Sequence, residues 1–331
     1  MRVLTEIAGQ GYERGDGVWL GGTLSLRAKK RASTYTFELA DPDLAIFNAL
    51  PLPTRTNRTL VTLRMGRGVL APVVFTGYVS GLDWKDTPGR LQVTCVDKSR
   101  SARRKQRAKT RSKLTLLQLV RDIADPEGLT IDTSLADAET IGKIGQMIQH
   151  GETDWRLLER LAKQLGHAVY VDGDKLMVVD EGQVPGEATV ELQRGVNIRS
   201  GASFKIAERR ARSTATIFDF SGDPVSEEED GEAERRPTKR EPVGLRVLTE
   251  GAPSFSAQAV QKARKAQSRR RKVFTASIEA TELLPATKPR GVATVQGYGS
   301  RLDGLWWVDD VEHDLTRLIT SVNLHNEGSD A

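Results

Sequence analysis

The sequence predicts an α+β, mainly β protein in which two strand-rich regions flank a small α/β unit. Three observations predict it. Apolar and polar residues alternate through most of the first hundred positions and again from 188 to the end, the period of half-buried strands. Between them, from Leu114 to about 180, the apolar period lengthens to that of a helix face. A block of like charge at 98–113 marks the change. The expected division is 1–100, a basic loop at 101–113, the α/β unit at 114–184, and a second strand-rich region at 185–331.

In the first region, Val18–Ala28 and Thr34–Ala40 carry β-branched, aromatic and leucine residues in frequent alternation. Asp41-Pro42 reads as a helix start, with Asp as cap and Pro in the first turn. A short helix through Leu44, Ile46, Phe47 and Leu50 then ends before Pro51 and Pro53. Strands are expected at Thr59–Arg64, Val73–Leu82 and Arg90–Val96, and a strand-rich unit with one short helix suggests a small barrel or a sandwich. The run at 98–113 holds nine Lys and Arg residues, among them Arg103, Arg104, Lys105 and Arg107. Such a block repels itself and reads as a mobile loop or a boundary.

In the α/β unit, Leu116, Leu117, Leu119, Val120 and Ile123 fit one helix face ending near Asp125-Pro126. A second helix starts at Thr153 or Asp154. Its apolar stripe is Trp155, Leu158, Leu161, Ala162 and Leu165, with Gly166 suited to the position after the last turn. His167–Val171 and Lys175–Val179 form a hairpin across Asp172-Gly173-Asp174. In the last region, strands are expected at Ala188–Leu192, Arg212–Phe220, Phe274–Ala280, Val292–Gln296, Trp306–His313 and Ile319–His325. A charged, proline-punctuated loop at 221–244 holds Glu227, Glu228 and Glu229. A basic helix at 256–272 ends in Arg269, Arg270 and Arg271, cations placed where the helix dipole favours them.

The composition, 38% apolar and 28% charged over 331 residues, suits packed globular domains. No apolar stretch reaches the roughly 18 residues of a membrane span, and Met1–Glu6 does not read as a secretory signal. The net charge of +5 admits a nucleic-acid, acidic-protein or anionic-membrane partner. The single cysteine, Cys95, excludes an intrachain disulfide and a multi-thiolate zinc site. It lies in an alternating run and reads as a small buried hydrophobe.

Motifs for chemistry are missing. There is no Walker loop, no His-Glu-x-x-His and no Gly-x-Ser-x-Gly elbow. Gly297-Tyr298-Gly299 reads as a tight turn. His150, His167, His313 and His325 lack metal-ligand spacing and read as packing or surface residues. Asp309, Asp310, Glu312 and Asp314 lack the glycine-centred loop of an EF-hand and read as solvent-facing carboxylates on a strand. No catalytic residue, cofactor or metal is expected. The basic run has no aromatic for base stacking, although non-specific phosphate contact needs only Lys and Arg. Basic and acidic segments alike are candidate interfaces with oppositely charged surfaces.

Three stretches resemble one family, in order along the chain. Phe75-Thr76-Gly77-Tyr78-Val79 followed by Leu91–Asp97 resembles the first domain of the phage late control D, or tail hub, family. Gln146–His150, then Glu152–Ala162 with Trp155, Gly166 and Lys175–Val178, resembles its α/β domain. The stretch 259–272, followed by Gly304–His313 with Trp306, Val308 and His313, resembles its last domain. The family is similar to the N-terminal part of type VI secretion spike proteins. The resemblance implies two barrel-like tube domains flanking the α/β unit and a homotrimer without enzymatic activity. That trimer is expected to adapt a hexameric tail tube to a trimeric spike. Spike, tube and other baseplate proteins are the implied partners, and the basic segments with the acidic loop 227–234 make a neighbouring subunit or the tape-measure protein the expected holder of an oppositely charged surface. The implied location is the virion tail baseplate or a tail-like particle, made in the bacterial cytoplasm without membrane insertion. A basic nucleic-acid-binding protein and, behind it, a cell-wall hydrolase are the alternatives.

Overall fold

The computed structural model describes residues 1–27, 32–54, 58–68, 71–86, 88–104, 106–133, 143–164, 167–180, 190–199, 201–206, 217–218, 224–225 and 274–326. Strands β1 (Arg2–Ile7) and β2 (Gln10–Glu13) form a hairpin. Its turn residues Ala8 and Gly9 are both left-handed, at φ 52° and 85°, the twist that two-residue hairpin loops require. Strands β3 (Trp19–Arg27) and β4 (Thr34–Ala40) follow, and then helix α1 (Ala45–Ala49). Asp41 does cap this helix, from a distance. Its carboxylate accepts the Ile46 and Phe47 backbone N–H groups at 3.0 and 2.9 Å, while Leu44 holds the N-cap position itself. Strands β5 (Leu60–Gly66), β6 (Val73–Lys85) and β7 (Arg90–Asp97) complete this half.

The basic run departs from its expected loop. Helix α2 (Arg100–Arg104) turns out of β7, and strand β8 (Gln106–Thr115) pairs with a later strand. Ladder hydrogen bonds are made by the backbone, which a run of charged side chains leaves intact. Helix α3 (Leu116–Ala124) opens with a full capping box between Thr115 and Gln118. After it come β9 (Thr130–Asp132), β10 (Lys143–Thr153), which is the partner of β8, and helix α4 (Asp154–Gln164). The hairpin β11 (His167–Asp172) and β12 (Lys175–Asp180) follows, with β9 joining β12 in parallel.

The C-terminal half contributes β13 (Val190–Gln193), β14 (Ser203–Ile206) and a small hairpin of β15 (Ile217–Phe218) with β16 (Pro224–Val225). Strands β17 (Phe274–Ala280), β18 (Val292–Gln296), β19 (Gly304–Asp314) and β20 (Ile319–Asn326) end it. The expected helix at 256–272 and most of the loop at 221–244 lie outside the described residues.

The protein is mainly β, with one curled, largely antiparallel sheet. Its 13 strands run β14-β17-β20-β19-β3-β4-β7-β6-β5-β1-β2, with β18 attached to β19 and β13 attached to β18. The two strand-rich halves thus share a sheet through β3 and β19, paired from Asp310↔Arg27 to Asp314↔Thr23. They also share one apolar core, from Val3 to Cys95 and from Val190 to Leu324. A second core, from Ala102 to Val178, belongs to the α/β unit.

Candidate functional site: the seams that join the units

The first seam is β3 against β19. The spacing Trp306, Val308, Val311, His313 departs from simple alternation by one residue. A β-bulge between Val308 and Asp310 supplies that residue, so two positions face one and the inward face is regained beyond it. All four side chains are buried. The bulge also corrects one expectation: Asp309 is buried, not solvent-facing, and its carboxylate lies 3.1 Å from His325 Nδ1. Glu312 stays exposed and accepts from Ser25 Oγ of β3 at 3.2 Å.

His313 is fully buried opposite Leu24. Its Nδ1 lies 2.9 Å from Thr320 Oγ1, which itself accepts the Leu284 N–H at 2.9 Å. The hydroxyl proton is thereby available to Nδ1, consistent with a neutral ring. Burial pushes the imidazole down to about 4, because a charge here would lose its hydration. This histidine is a packing residue of the seam. The tip of the β19–β20 hairpin closes over β3, with Leu315 N–H donating to Gly22 O at 2.9 Å and Gly22 N–H to Thr316 Oγ1 at 3.2 Å. A side chain at Gly22 would meet Thr36 O at 2.8 Å, so only glycine fits this approach.

The second seam joins the N-terminal half to the α/β unit. Buried Asp97, at the end of β7, accepts from Ser33 N–H at 2.6 Å and from Ser99 N–H and Oγ. Ser99 Oγ accepts from Arg103 Nε at 2.7 Å. The Arg103 guanidinium lies 4.1 Å from the Trp155 ring centre, and Trp155 Nε1 donates to Glu159 at 2.7 Å. A cation over an indole face is held by the ring quadrupole. Beside this latch, buried Glu127 pairs with Arg58 at 2.6 Å and bonds Ser101 Oγ. Lys98 Nζ donates to Gly128 O at 3.1 Å.

The third seam joins the α/β unit to the C-terminal half. Lys288 Nζ meets Asp172 Oδ2 at 2.7 Å. Arg290 lies within electrostatic reach of Tyr170 and Asp309, and burial draws its guanidinium below its ordinary value. Burial and the Asp172 charge push the Tyr170 phenol up to about 12.

The expected site residues are therefore distributed as follows. Trp155, Leu158 and Leu161 are buried in the α/β core, Trp306 and Val308 are buried in the shared sheet core, and His313 lies at the β3–β19 pairing. Arg103 is turned inward to the latch, while Arg104 is exposed. Arg107 lies on β8. Lys105, Gly166, Glu227, Glu228, Glu229, Arg269, Arg270 and Arg271 lie outside the described residues. Sequence reading missed the buried Glu127 and Arg290. Both are ordinary charged residues by composition, and nothing in their local spacing marks them. Among the described residues, no group of three or more His, Cys, Asp or Glu is placed to hold a metal ion, and no helix is long and apolar enough to cross a membrane.

The profile of the family described as phage tail baseplate hub (GPD) matches residues 51–318. A search of curated protein sequences finds no match. Among solved structures, the chain is similar to the 43 kDa tail protein of prophage MuSo2 from Shewanella oneidensis, at 16% identity and a TM-score of 0.64, covering 98% of this chain and 97% of that one. It is similar to a tail protein from Neisseria meningitidis MC58, at 15% identity and 0.67, with 98% and 96% covered. It is also similar to the E. coli c3393 protein, described as a type VI secretion component with structural similarity to T4 tail proteins gp27 and gp5. There identity is 11%, the TM-score 0.60, and coverage 97% and 76%.

Proposed function

The chain belongs to the phage tail baseplate hub family, and from that membership we propose that it is a non-enzymatic hub that adapts a hexameric tail tube to a trimeric spike. In this reading three copies form a ring. Each copy contributes its two strand-rich halves as barrel-like domains, so three chains offer six such halves to the tube. The observation that carries the reading is the continuous 13-stranded sheet. Strands from both ends of the chain meet at β3 and β19 over one shared core, which locks the two halves into one body. Closed cyclic symmetry is the common way for such a body to repeat. Among the described residues, the outermost strands on the main path of the sheet, β14 and β2, each pair on one side only. Exposed strand edges are liabilities in a monomer and are covered when subunits meet.

The partners that follow are a second and third copy, the spike, the tube, neighbouring baseplate proteins and the tape-measure protein. The place of action is the tail baseplate. Light scattering after size exclusion, on the chain co-expressed with the spike encoded nearby, tests this directly. Three copies of the chain with three of the spike are expected. A lone monomer that ignores the spike contradicts the reading.

A further inference from the structure

We propose that the packed pair α2 and α4 carries a binding site for an acidic peptide segment of a partner protein, with one carboxylate seated between Arg103 and Arg156. A cavity of about 450 Å³ lies there, lined by Arg103, Thr153, Trp155, Arg156 and Glu159. Two guanidinium groups and one carboxylate leave it one positive charge. Glu159 is already committed: its Oε1 accepts the Trp155 Nε1–H at 2.7 Å and lies 3.9 Å from Arg103. Thr153 Oγ1 accepts the Arg156 backbone N–H at 3.2 Å, which leaves its own hydroxyl proton to donate. Cationic forks and a hydroxyl donor are the groups that hold a carboxylate.

The surface around the cavity has the same sign. Arg156, Arg160 and Lys163 follow the spacing of one face of α4. Arg160 is paired with Glu152 at 2.5 Å. Among the described residues, Arg104, Arg156 and Lys163 are exposed and meet no carboxylate. On α2, burial and the neighbouring Arg104 charge hold the Arg100 guanidinium below its ordinary value. Like charges so placed repel one another, and an anionic partner relieves them. An acidic polypeptide fits this pattern better than a nucleic acid does. Glu152 and Glu159 lie among the cations, where a run of phosphates would meet like charge, while a peptide can space its carboxylates to avoid them. The Trp155 ring is covered by Arg103 at 4.1 Å, so no base stacks on that face. Arg and Trp are also the residue types that anchor protein interfaces.

Titration calorimetry of the full chain with a hexaglutamate peptide at low salt tests this. Glu227, Glu228 and Glu229 are replaced by Gln to remove competition from the chain's own acidic run. One peptide per chain is expected to bind, and more weakly as salt is added. Arg156→Glu is expected to weaken binding at least about tenfold. Arg156→Lys is expected to weaken it less, because the charge stays and only the fork is lost. Glu159→Gln keeps an acceptor for the Trp155 N–H, removes the opposing charge and is expected to tighten binding by up to about fivefold. Arg199→Glu, at an exposed arginine of the C-terminal half paired with Glu279, is expected to change nothing. No binding, equal losses for Arg156→Glu and Arg199→Glu, or a short DNA duplex that binds more tightly than the peptide and loses affinity with Arg156→Glu overturns the proposal. The measurement uses the isolated chain and stands apart from the hub reading.

Discussion

At the scale of single residues, His313 shows how burial assigns a role. Its folded value of about 4 lies below the ordinary 6.5. As pH falls through 6.5 the unfolded chain gains a proton that the folded chain refuses. Stability is therefore lost between 6.5 and about 4, by at most on the order of 3 kcal/mol, and no further loss from this group follows below that range. His313→Gln should flatten the slope of unfolding free energy against pH there, and an unchanged slope would exclude the assignment. Trp155, 1% exposed, combines core packing with the Arg103 stack and the Glu159 hydrogen bond. Trp155→Ala should cost about 3–5 kcal/mol. Trp155→Phe, which keeps a ring but loses the N–H, should cost less. Urea melts of both variants check the order, and an unchanged midpoint for the alanine variant contradicts it.

At the scale of elements, the periodic stretches were legible. Strands β4, β17 and β18 have the bounds their alternation predicts, and α3 and α4 begin within two residues of the predicted starts. Periodicity reports a surface with one dry face, and these elements have one. The basic run was not legible, because its strand is set by pairing with β10 and not by its own alternation. The β1–β2 hairpin was missed for a related reason. Its turn is Ala-Gly, which lacks the Asn or Asp that marks most such turns. Strand β3 carries a prediction at this scale. Gly22→Ala would press a methyl group against the Thr36 carbonyl at 2.8 Å and Phe37 Cβ at 3.0 Å. It should lower stability by about 1–3 kcal/mol, measured as a drop in melting temperature. A wild-type melt would mean that β3 and β4 separate without cost.

At the scale of the whole molecule, the β3–β19 pairing is the decisive contact. It joins residues nearly three hundred positions apart, so the chain must bring its ends together before the shared core exists. Closing so long a loop is slow, and the C-terminal half is expected to gain its protection late in folding. Pulse-labelling hydrogen exchange during refolding checks this: β19 and β20 should become protected after α3 and α4. Simultaneous protection would show that the two cores form as one unit.

The sequence by itself determined the mainly β character of the fold, the positions of most strands and helices, the buried faces of α3 and α4, and three ordered stretches that resemble the hub family. These are local properties, carried by periodicity and by residue type within a few turns. Only the tertiary structure decided that the two strand-rich halves form one sheet, that the bulge at Val308–Asp310 sets the spacing of Trp306, Val308, Val311 and His313, and that Glu127 and Arg290 lie at the seams. Each of those depends on a partner far away in the chain. A residue's own neighbours do not say which distant strand will cover it, so long-range pairing is where sequence reading ends.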